Sequence, residues 1–497
     1  MDKTIGYVIA GTNSGSGKTT ISLGIMAWLQ KQGYKVAPFK AGPDFIDPGH
    51  HTRITGTASR NLDGWMLSRE YNLDIFRRYS AHADIAIVEG VMGLYDGYDG
   101  KSEAGSTAQM AKWLSLPVIL IVNAKSMARS AAALIKGFVE FDPEVNFAGV
   151  VFNNLGSKNH LKYLEDATRE YLSVPVLGGI LRNDRITMPE RHLGLVTDDE
   201  HMLKQEDTDL LSDMIGEGID TKRLLKGVRS GKIKEKKNLV TNSPPFLKGA
   251  GGIFLAKKGG CDKNPPFKKG GKNLQVAELA EDSSLRIGIA RDAAFCFYYQ
   301  DNLDMLESEG AALVFFSPTD DKKLPENLSG IYFGGGYPEV FADRLSRNRT
   351  MRSQVRQASQ SGMPIYGECG GFMYLCDQFI GEEGRVFPMT GCFPFSTRLL
   401  NRLRSLGYRE VVLKENAIVG SEGMKARGHE FHYSEIADPV PDIRKVYAIS
   451  GRTGRNTRKE GFCVNNTLGS YVHLHFGSNP GFCSAFVESC RNYYTTF

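Results

Sequence analysis

Between Ala10 and Thr20 the chain reads AGTNSGSGKTT, and its last residues are those a polyphosphate site needs. In a strand, glycine-rich turn and helix, backbone N–H groups and the positive helix end converge on one anion. A lysine then reaches the β- and γ-phosphates and a Ser/Thr hydroxyl binds Mg2+. Gly15, Gly17, Lys18, Thr19 and Thr20 are therefore expected to bind ATP, with Thr19 also on the metal. The upstream glycine, Gly11, stands one residue outside the usual G-x-x-x-x-G-K-[ST] window, which here begins at Thr12. Acids at the ends of further strands can complete a Mg2+ shell. Candidates are Asp44 and Asp47 in KAGPDFIDPGHH, and Glu89 in IVEGVMGLYDG, which also carries Asp96. Asp before Pro or Gly equally forms turns and caps helices. Asn153, in FNN at another strand end, is expected to read the adenine edge.

A second chemistry resides in YGECGGF, Tyr366 to Phe372. G-x-C-x-G between a strand and a helix is the thiol form of a nucleophile elbow, whose sharp turn exposes the sulfur at a helix N-terminus. That position is expected to lower the Cys369 pKa and make it a nucleophile. FGGGYPE, Phe333 to Glu339, offers the N–H groups of Gly335 and Gly336 to an oxyanion. GSYVHLHF supplies His473 and His475 as bases, and a strand would put both on one face. His429 and His432 in GHEFHYS make four histidines. H-E-F-H is one residue short of the zinc-binding H-E-x-x-H, and no second cysteine stands near Cys369 at ligand spacing, so no metal is expected there.

Such residues must be held at strand ends. Apolar runs at Ile5–Ala10, Lys35–Phe39, Asp84–Val88, Pro117–Val122, Phe147–Phe152 and Val174–Leu177 alternate with helical segments. The pattern restarts at Leu285–Ala290, Ala312–Phe316, Gly330–Phe333 and Pro364–Tyr366. Buried strands alternating with helices predict an α/β protein of two doubly wound domains, with ligands beyond the strand C-termini. The expected organisation is an ATP-binding domain over 1–220, an insertion over 221–284 and a second catalytic domain over 285–497. From Lys222 to Asn273 there are fifteen Lys/Arg against two acids, a local +13 that leaves −8 for the rest of a chain whose net charge is +5. Rich in Gly and Pro, and carrying the near-repeat NSPPFLKGAGG and KNPPFKKGGKN, this segment has no period that could bury a core. It is expected to be disordered. A basic arm can bind phosphate backbones, but this one is not expected to make the chain a nucleic-acid-binding protein. The longest apolar stretch, Leu116 to Val122, is far too short for a membrane span. Eight cysteines without paired spacing and an N-terminus that runs straight into a strand point to a cytoplasmic protein.

A dethiobiotin-synthetase-like P-loop domain followed by GGGYPE, YGECGGFMYL, GHEFHYS and SYVHLHFGSNP resembles the cobyrinate a,c-diamide synthases. These are cobyric-acid-synthase-like glutamine amidotransferases of class I, the triad type. GTNSGSGKTT, KAGPDFIDPGHHT, SRNLDGWML and VEGVMGLYDG match as well, so the resemblance covers nearly all of 1–200 and 285–497 but not the basic segment. Dethiobiotin synthetases likewise place the first loop glycine one residue early. The resemblance implies that Cys369 is the glutaminase nucleophile and His473 its base. The glutamate that usually follows two residues later is here His475, which leaves the third, orienting member unnamed. It further implies a carbon–nitrogen ligase using glutamine, ATP and Mg2+ to amidate the a- and c-acetates of cobyrinate through an acyl phosphate, in cobalamin biosynthesis. Sirohaem and nickel-sirohydrochlorin are alternative tetrapyrrole polycarboxylates, and a homodimer is among the assemblies allowed. Arg53, Arg60, Asp96, Arg398 and Arg402, with Arg404, are candidates to grip the macrocycle. Positioning-type switch ATPases share the G-K-T-T ending but carry a signature lysine where this chain has Asn13. CTP synthase shares the domain order but not these loop and cysteine motifs.

Overall fold

Seven strands build the first sheet: β1 (Gly6–Gly11), β2 (Val36–Ala41), β3 (Arg60–Leu62), β4 (Ile85–Gly93), β5 (Val118–Asn123), β6 (Phe147–Leu155) and β7 (Val176–Leu181). The structure is a computed structural model that describes residues 6–183, 190–191, 194–195, 203–227, 285–437, 442–451, 454 and 457–495. The strands lie in the order β3-β2-β4-β1-β5-β6-β7, all parallel. Alternate residues feed two cores. Val8, Phe39, Val88, Leu120 and Phe152 pack on one face, and Tyr7, Ile9, Ile87, Ile121 and Val151 on the other, as a strand covered by helices on both sides requires. The chain leaves β1 toward β2 and β4 and later returns to β5 on its other flank, opening a crevice beyond the C-terminal end of β1.

In the second domain ten strands run, in spatial order, Ala312–Phe316, Arg286–Ala290, Gly330–Phe333, Ile365–Glu368, Thr467–Ser470, Arg458–Val464, Lys445–Gly451, Ser405–Leu413, Lys425–His432 and His473–Leu474. The first five are mutually parallel and the rest antiparallel. A four-stranded sheet (Val386–Pro388, Cys376–Ile380, Phe393–Leu399, Ser434–Ile436) flanks them.

The start of the expected insertion belongs to the first domain. Thr221–Leu224 is helical, Leu224 is buried, and the Arg223 carbonyl accepts from the Tyr7 hydroxyl at 3.2 Å. The rest of it, 228–284, lies outside the described residues. Among the described residues no helix is long and apolar enough to cross a membrane, and none of the seven described cysteines is in a disulfide.

The two α/β domains pack as one compact unit, and SRNLDGWML supplies much of their contact. Arg60 is buried there rather than facing a ligand. It donates to Asp301 Oδ1 at 2.7 Å and to Asp304, with its guanidinium 3.6 Å from the centre of the Tyr79 ring. Asp63 accepts from the Tyr408 hydroxyl at 2.7 Å, and Trp65 stacks on Tyr408 at 4.7 Å. Arg60 is thus removed from the expected macrocycle grip.

Candidate active site

The helix Lys18–Lys31 starts where the glycine-rich turn lets it. Gly17 has φ +96°, and a Cβ there would stand 2.0 Å from the Asn153 amide nitrogen, so the position excludes any side chain. Asn153 uses that nitrogen to donate to the Ser16 carbonyl at 3.0 Å. It braces the loop from the end of β6 with one N–H of the amide expected to read adenine, and it lines the cavity. Lys18 is buried and donates to the Asn13 carbonyl at 3.1 Å; burial and the nearby Lys40 lower its pKa.

Three carboxylates converge opposite the loop. Thr19 donates to Glu89 Oε1 at 2.7 Å and stands 3.5 Å from Asp47 Oδ2. Asp44 Oδ1 accepts from the N–H groups of Ile46 and Asp47 at 2.8 and 3.1 Å, capping the helix Ile46–Thr55, while its other oxygen lies 3.7 Å from Lys40 Nζ. Capping and cluster membership therefore coincide in one side chain. Lys40 and His51 were not singled out from the sequence, although they bracket the quoted acidic stretch. Lys40 Nζ pairs with Asp47, with Glu89 Oε1 at 3.0 Å and with the Gly90 carbonyl at 3.3 Å. His51 Nε2 meets Glu89 Oε2 at 2.7 Å, and Nδ1 meets Ser59 Oγ at 3.2 Å. Burial raises the Glu89 pKa, but Lys40 and His51 outweigh it and hold this carboxyl well below the usual range. Burial, Asp44 and Glu89 push Asp47 up. The donor set fits Mg2+: Thr19, Asp47 and Glu89 turn hard oxygens to one place, and the Lys40 ammonium, a cation of small size, already stands among the acids. Among the described residues no group of His, Cys, Asp and Glu forms a ready metal cage; Mg2+ at nucleotide sites takes one or two carboxylates plus phosphates and water rather than such a cage.

Cys369 occupies a sharp corner, φ 46° and ψ −102°, between the strand Ile365–Glu368 and the helix Gly370–Leu375. Its N–H donates to the Ser470 carbonyl at 2.7 Å. A non-glycine residue at positive φ is strained and persists only where its surroundings enforce it. The expected lowering of the thiol pKa is overturned: burial pushes it up, with Glu339 adding to the effect, and the Gly370 N–H offsets this only in part. The six-residue helix end is too weak a field to outweigh complete desolvation. Of the two expected oxyanion donors, Gly335 is excluded, because its N–H donates to the Phe297 carbonyl at 3.2 Å. A Cβ on Gly335 would lie 2.2 Å from His473 Cε1, so this glycine makes room for the imidazole instead. Gly336 makes no backbone bond through its N–H among the described residues. The Gly370 N–H, directed at the Cys369 sulfur, is a donor that the sequence reading missed.

Of the four histidines, His429, His432 and His473 line the cavity and His475 does not. His473 lines the cavity with Cys369; its ring lies 5.1 Å from Phe45 and stacks on His429 at 4.9 Å. Burial, His429 and His432 depress its pKa well below the ordinary value. His429 Nδ1 meets the Tyr299 hydroxyl at 2.8 Å, and His432 Nδ1 meets the Ser434 carbonyl at 2.7 Å. His475 does not share the face of His473. The strand ends at Leu474, and His475 turns to the domain contact, with Nε2 3.8 Å from Asp301 Oδ2.

One cavity of about 1260 Å³ joins the two sets: Gly15, Gly17, Lys18, Thr19, Thr20, Asp44, Asp47, Glu89 and Asn153 line it together with Gly336, Cys369 and His473. Phe45, next to Asp44, lies between them, 5.2 Å from Phe297 and 4.7 Å from Tyr299. The remaining expected macrocycle contacts lie outside this cavity. Arg53 Nε donates to the Leu203 carbonyl at 3.4 Å, and Asp96 accepts from the Gly93 N–H at 2.8 Å in a turn. Arg398 pairs with Glu435 at 2.6 Å, and Arg402 is exposed. Arg409 and Arg458 line the cavity instead, both on Glu430. Each sits alone on an antiparallel strand, a setting with no motif to mark it.

Residues 7–196 match the model of the CobQ/CobB/MinD/ParA nucleotide binding domain, and residues 286–481 that of the CobB/CobQ-like glutamine amidotransferase domain. The chain is 42% identical to the cobyrinate a,c-diamide synthase of Syntrophotalea carbinolica, over 97% of this chain and 98% of that one. It is 41% identical to the protein so named in Dehalococcoides mccartyi strain 195, over 98% of each. To the protein of that name in Priestia megaterium the chain is 38% identical, over 97% of this chain and 96% of that one.

Proposed function

The chain belongs to the cobyrinate a,c-diamide synthase family, and we propose that it amidates the a- and c-acetates of cobyrinate with ATP and glutamine. The observation that carries this reading is the single cavity bordered by both the phosphate loop and Cys369. An ionised carboxylate is a poor electrophile. Transfer of the γ-phosphoryl group to an acetate oxygen releases ADP and turns that oxygen into a phosphate leaving group. Lys18 and the loop N–H groups stabilise the transferring charge. Mg2+, when bound, supplies further neutralisation of the phosphates, and Thr19, Asp44, Asp47 and Glu89 would hold it.

On the other side of the cavity, glutamine enters against Cys369. His473 takes the thiol proton as sulfur attacks the carboxamide carbon. The Gly336 and Gly370 N–H groups face the oxyanion, and the proton leaves with ammonia. Water then clears the thioester. A protonated buried thiol and a neutral buried imidazole favour a reaction in which proton transfer waits for substrate. Ammonia crosses the shared cavity, attacks the acyl carbon and displaces phosphate, once for each acetate.

The test is to supply the purified protein with ATP, glutamine and, separately, cobyrinate, sirohaem and nickel-sirohydrochlorin. Diamide formation followed by mass spectrometry is expected with cobyrinate. Diamide from sirohaem alone would change the substrate and keep the reaction class.

A further inference from the structure

We infer that Glu368 is the positioning residue for His473, filling the orienting place that His475 does not. The inference rests on the reading of Cys369 and His473 as nucleophile and base. His475 is already committed elsewhere: its Nδ1 accepts from the Gly477 N–H at 3.1 Å, and its ring packs 4.5 Å from Tyr299. His473 Nδ1 is buried with no hydrogen-bond partner among the described residues. A buried, unmatched ring nitrogen is costly and points to a partner that engages during the reaction. The carboxylate oxygen beside it is Glu368 Oε2, at 4.0 Å.

Glu368 is placed to serve both members of the pair. It precedes Cys369 in the chain, and its Oε1 accepts from the N–H of Leu474, the residue after His473, at 2.9 Å. The same oxygen accepts from Tyr366 at 2.8 Å, and Oε2 accepts from Tyr332 at 2.9 Å. A carboxylate offers about four lone-pair sites, so Oε2 keeps one for an Nδ1–H donor. Catalytic hydrogen bonds are often long in the free enzyme and tighten in the reacting complex. With Nδ1–H held by Glu368, Nε2 is the acceptor for the Cys369 proton. The imidazolium that forms carries protons on both nitrogens beside an anion, until the Nε2 proton leaves with ammonia. The groups that face Glu368 are the phenols of Tyr298, Tyr299, Tyr332, Tyr366 and Tyr447, together with Cys369 and His473. Those facing His473 are His429, His432 and Glu430.

Glu368→Gln keeps the shape and, through its amide oxygen, can keep the contacts made by Oε1, but it removes the anion and puts an NH2 donor where Oε2 accepted. Glutamate release from glutamine and ammonium-driven amidation are measured on the same preparation, beside Cys369→Ala, His473→Ala and His475→Ala. Glutaminase kcat is expected to fall by about 10²-fold or more, the scale of a general base, while the glutamine KM and the ammonium reaction are unchanged. Burial raises the Glu368 pKa to about 7, so the parent glutaminase should weaken as pH falls through that value, and the variant should lack this limb. Unchanged kcat, a change confined to KM, a retained pH limb, or loss of both activities together would each overturn the assignment. Glutaminase surviving in Cys369→Ala or His473→Ala would overturn the nucleophile–base reading and Glu368 with it. An indifferent Glu368→Gln beside inactive Cys369→Ala and His473→Ala removes Glu368 alone.

Discussion

The two ends of the cavity are both buried, and they meet burial in opposite ways. At the phosphate loop a buried charge keeps its counter-charge: Lys40 sits among Asp44, Asp47 and Glu89, and with His51 it holds Glu89 well below the usual range, although burial, Asp44 and Glu89 push Asp47 up. At the thiol the groups are driven neutral. Desolvation raises Cys369 and depresses His429 to about 3 and His432 to about 4. Removing a charge from water is tolerable only with a counter-charge close by. The loop end has such partners in Lys40, Lys18 and the carboxylates, the groups that phosphates and a divalent cation would meet there. The thiol end meets a neutral carboxamide and needs groups that can pass a proton. The contrast separates a site prepared for electrostatic binding from one prepared for proton transfer.

Substitutions that silence one end test that division most strongly. Cys369→Ala should abolish glutamine-driven amidation and leave the ammonium-driven reaction, both followed as product formation. Lys18→Ala should lower both by about 10²–10³-fold, as expected for removing a preorganised charge stabiliser. Loss of the ammonium reaction in a folded Cys369→Ala protein would mean that the two ends are one catalytic unit.

Lys40→Met sharpens the electrostatic half. It strands Asp47 and Glu89 without their shared cation, and breaking a buried pair costs about 3–5 kcal/mol. A fall of that size in the unfolding free energy, measured by urea titration, is expected, with recovery on adding Mg2+ and ATP. A variant as stable as the parent would show that the acids are not charged together at rest.

Acidification probes the neutral half. His429, His432, His473 and His475 are neutral when folded and have an ordinary value of 6.5, so unfolding takes up their protons and stability is lost as pH falls below 6.5. Glu368 and Glu460, raised from 4.5 to about 7, oppose this, being protonated when folded and ionised when unfolded. Asp47, pushed up by burial, Asp44 and Glu89, acts in the same direction as these glutamates, so between pH 6.5 and 4.5 the histidines prevail by at most about one proton, roughly 1–1.5 kcal/mol per pH unit. The thermal midpoint at pH 5 should therefore lie below that at pH 6.5. A flat profile would mean that the second domain's histidines are charged in the folded state.

Most parallel strands of the two large sheets and both turns were legible because continuous apolar runs end in glycine-rich motifs, and such runs have few other solutions; the short Arg60–Leu62 and Thr467–Ser470 carry no such run. The antiparallel half between Ser405 and Leu474 was not: its strands show mixed burial, as in Ser405–Leu413, and no period announces them. Lys40 and His51 act through residues beyond their own strand and helix, which spacing alone cannot relate. The thiol's protonation depends on how completely the second domain covers Cys369, a property of packing. SRNLDGWML was visible as a motif, but its work in the domain contact requires Asp301, Asp304 and Tyr408 from the far end of the chain.

The smallest expected effect belongs to arginines outside both ends of the cavity. Arg398 is 46% exposed and paired with Glu435, and exposed pairs contribute about 0.2–1 kcal/mol. Arg398→Ala and Arg402→Ala should leave the macrocycle KM and the thermal midpoint within error. Arg458 lines the cavity on Glu430, whose other arginine partner, Arg409, remains when Arg458 is removed. Arg458→Ala should therefore fold normally. If Arg458 meets a macrocycle carboxylate, the variant forfeits one charge-assisted contact, about 1.5–3 kcal/mol, and its KM should rise about tenfold or more at unchanged glutaminase rate. The reverse pattern, with Arg402→Ala raising KM and Arg458→Ala silent, would move the macrocycle out of the cavity and onto the exposed loop after the strand Phe393–Leu399.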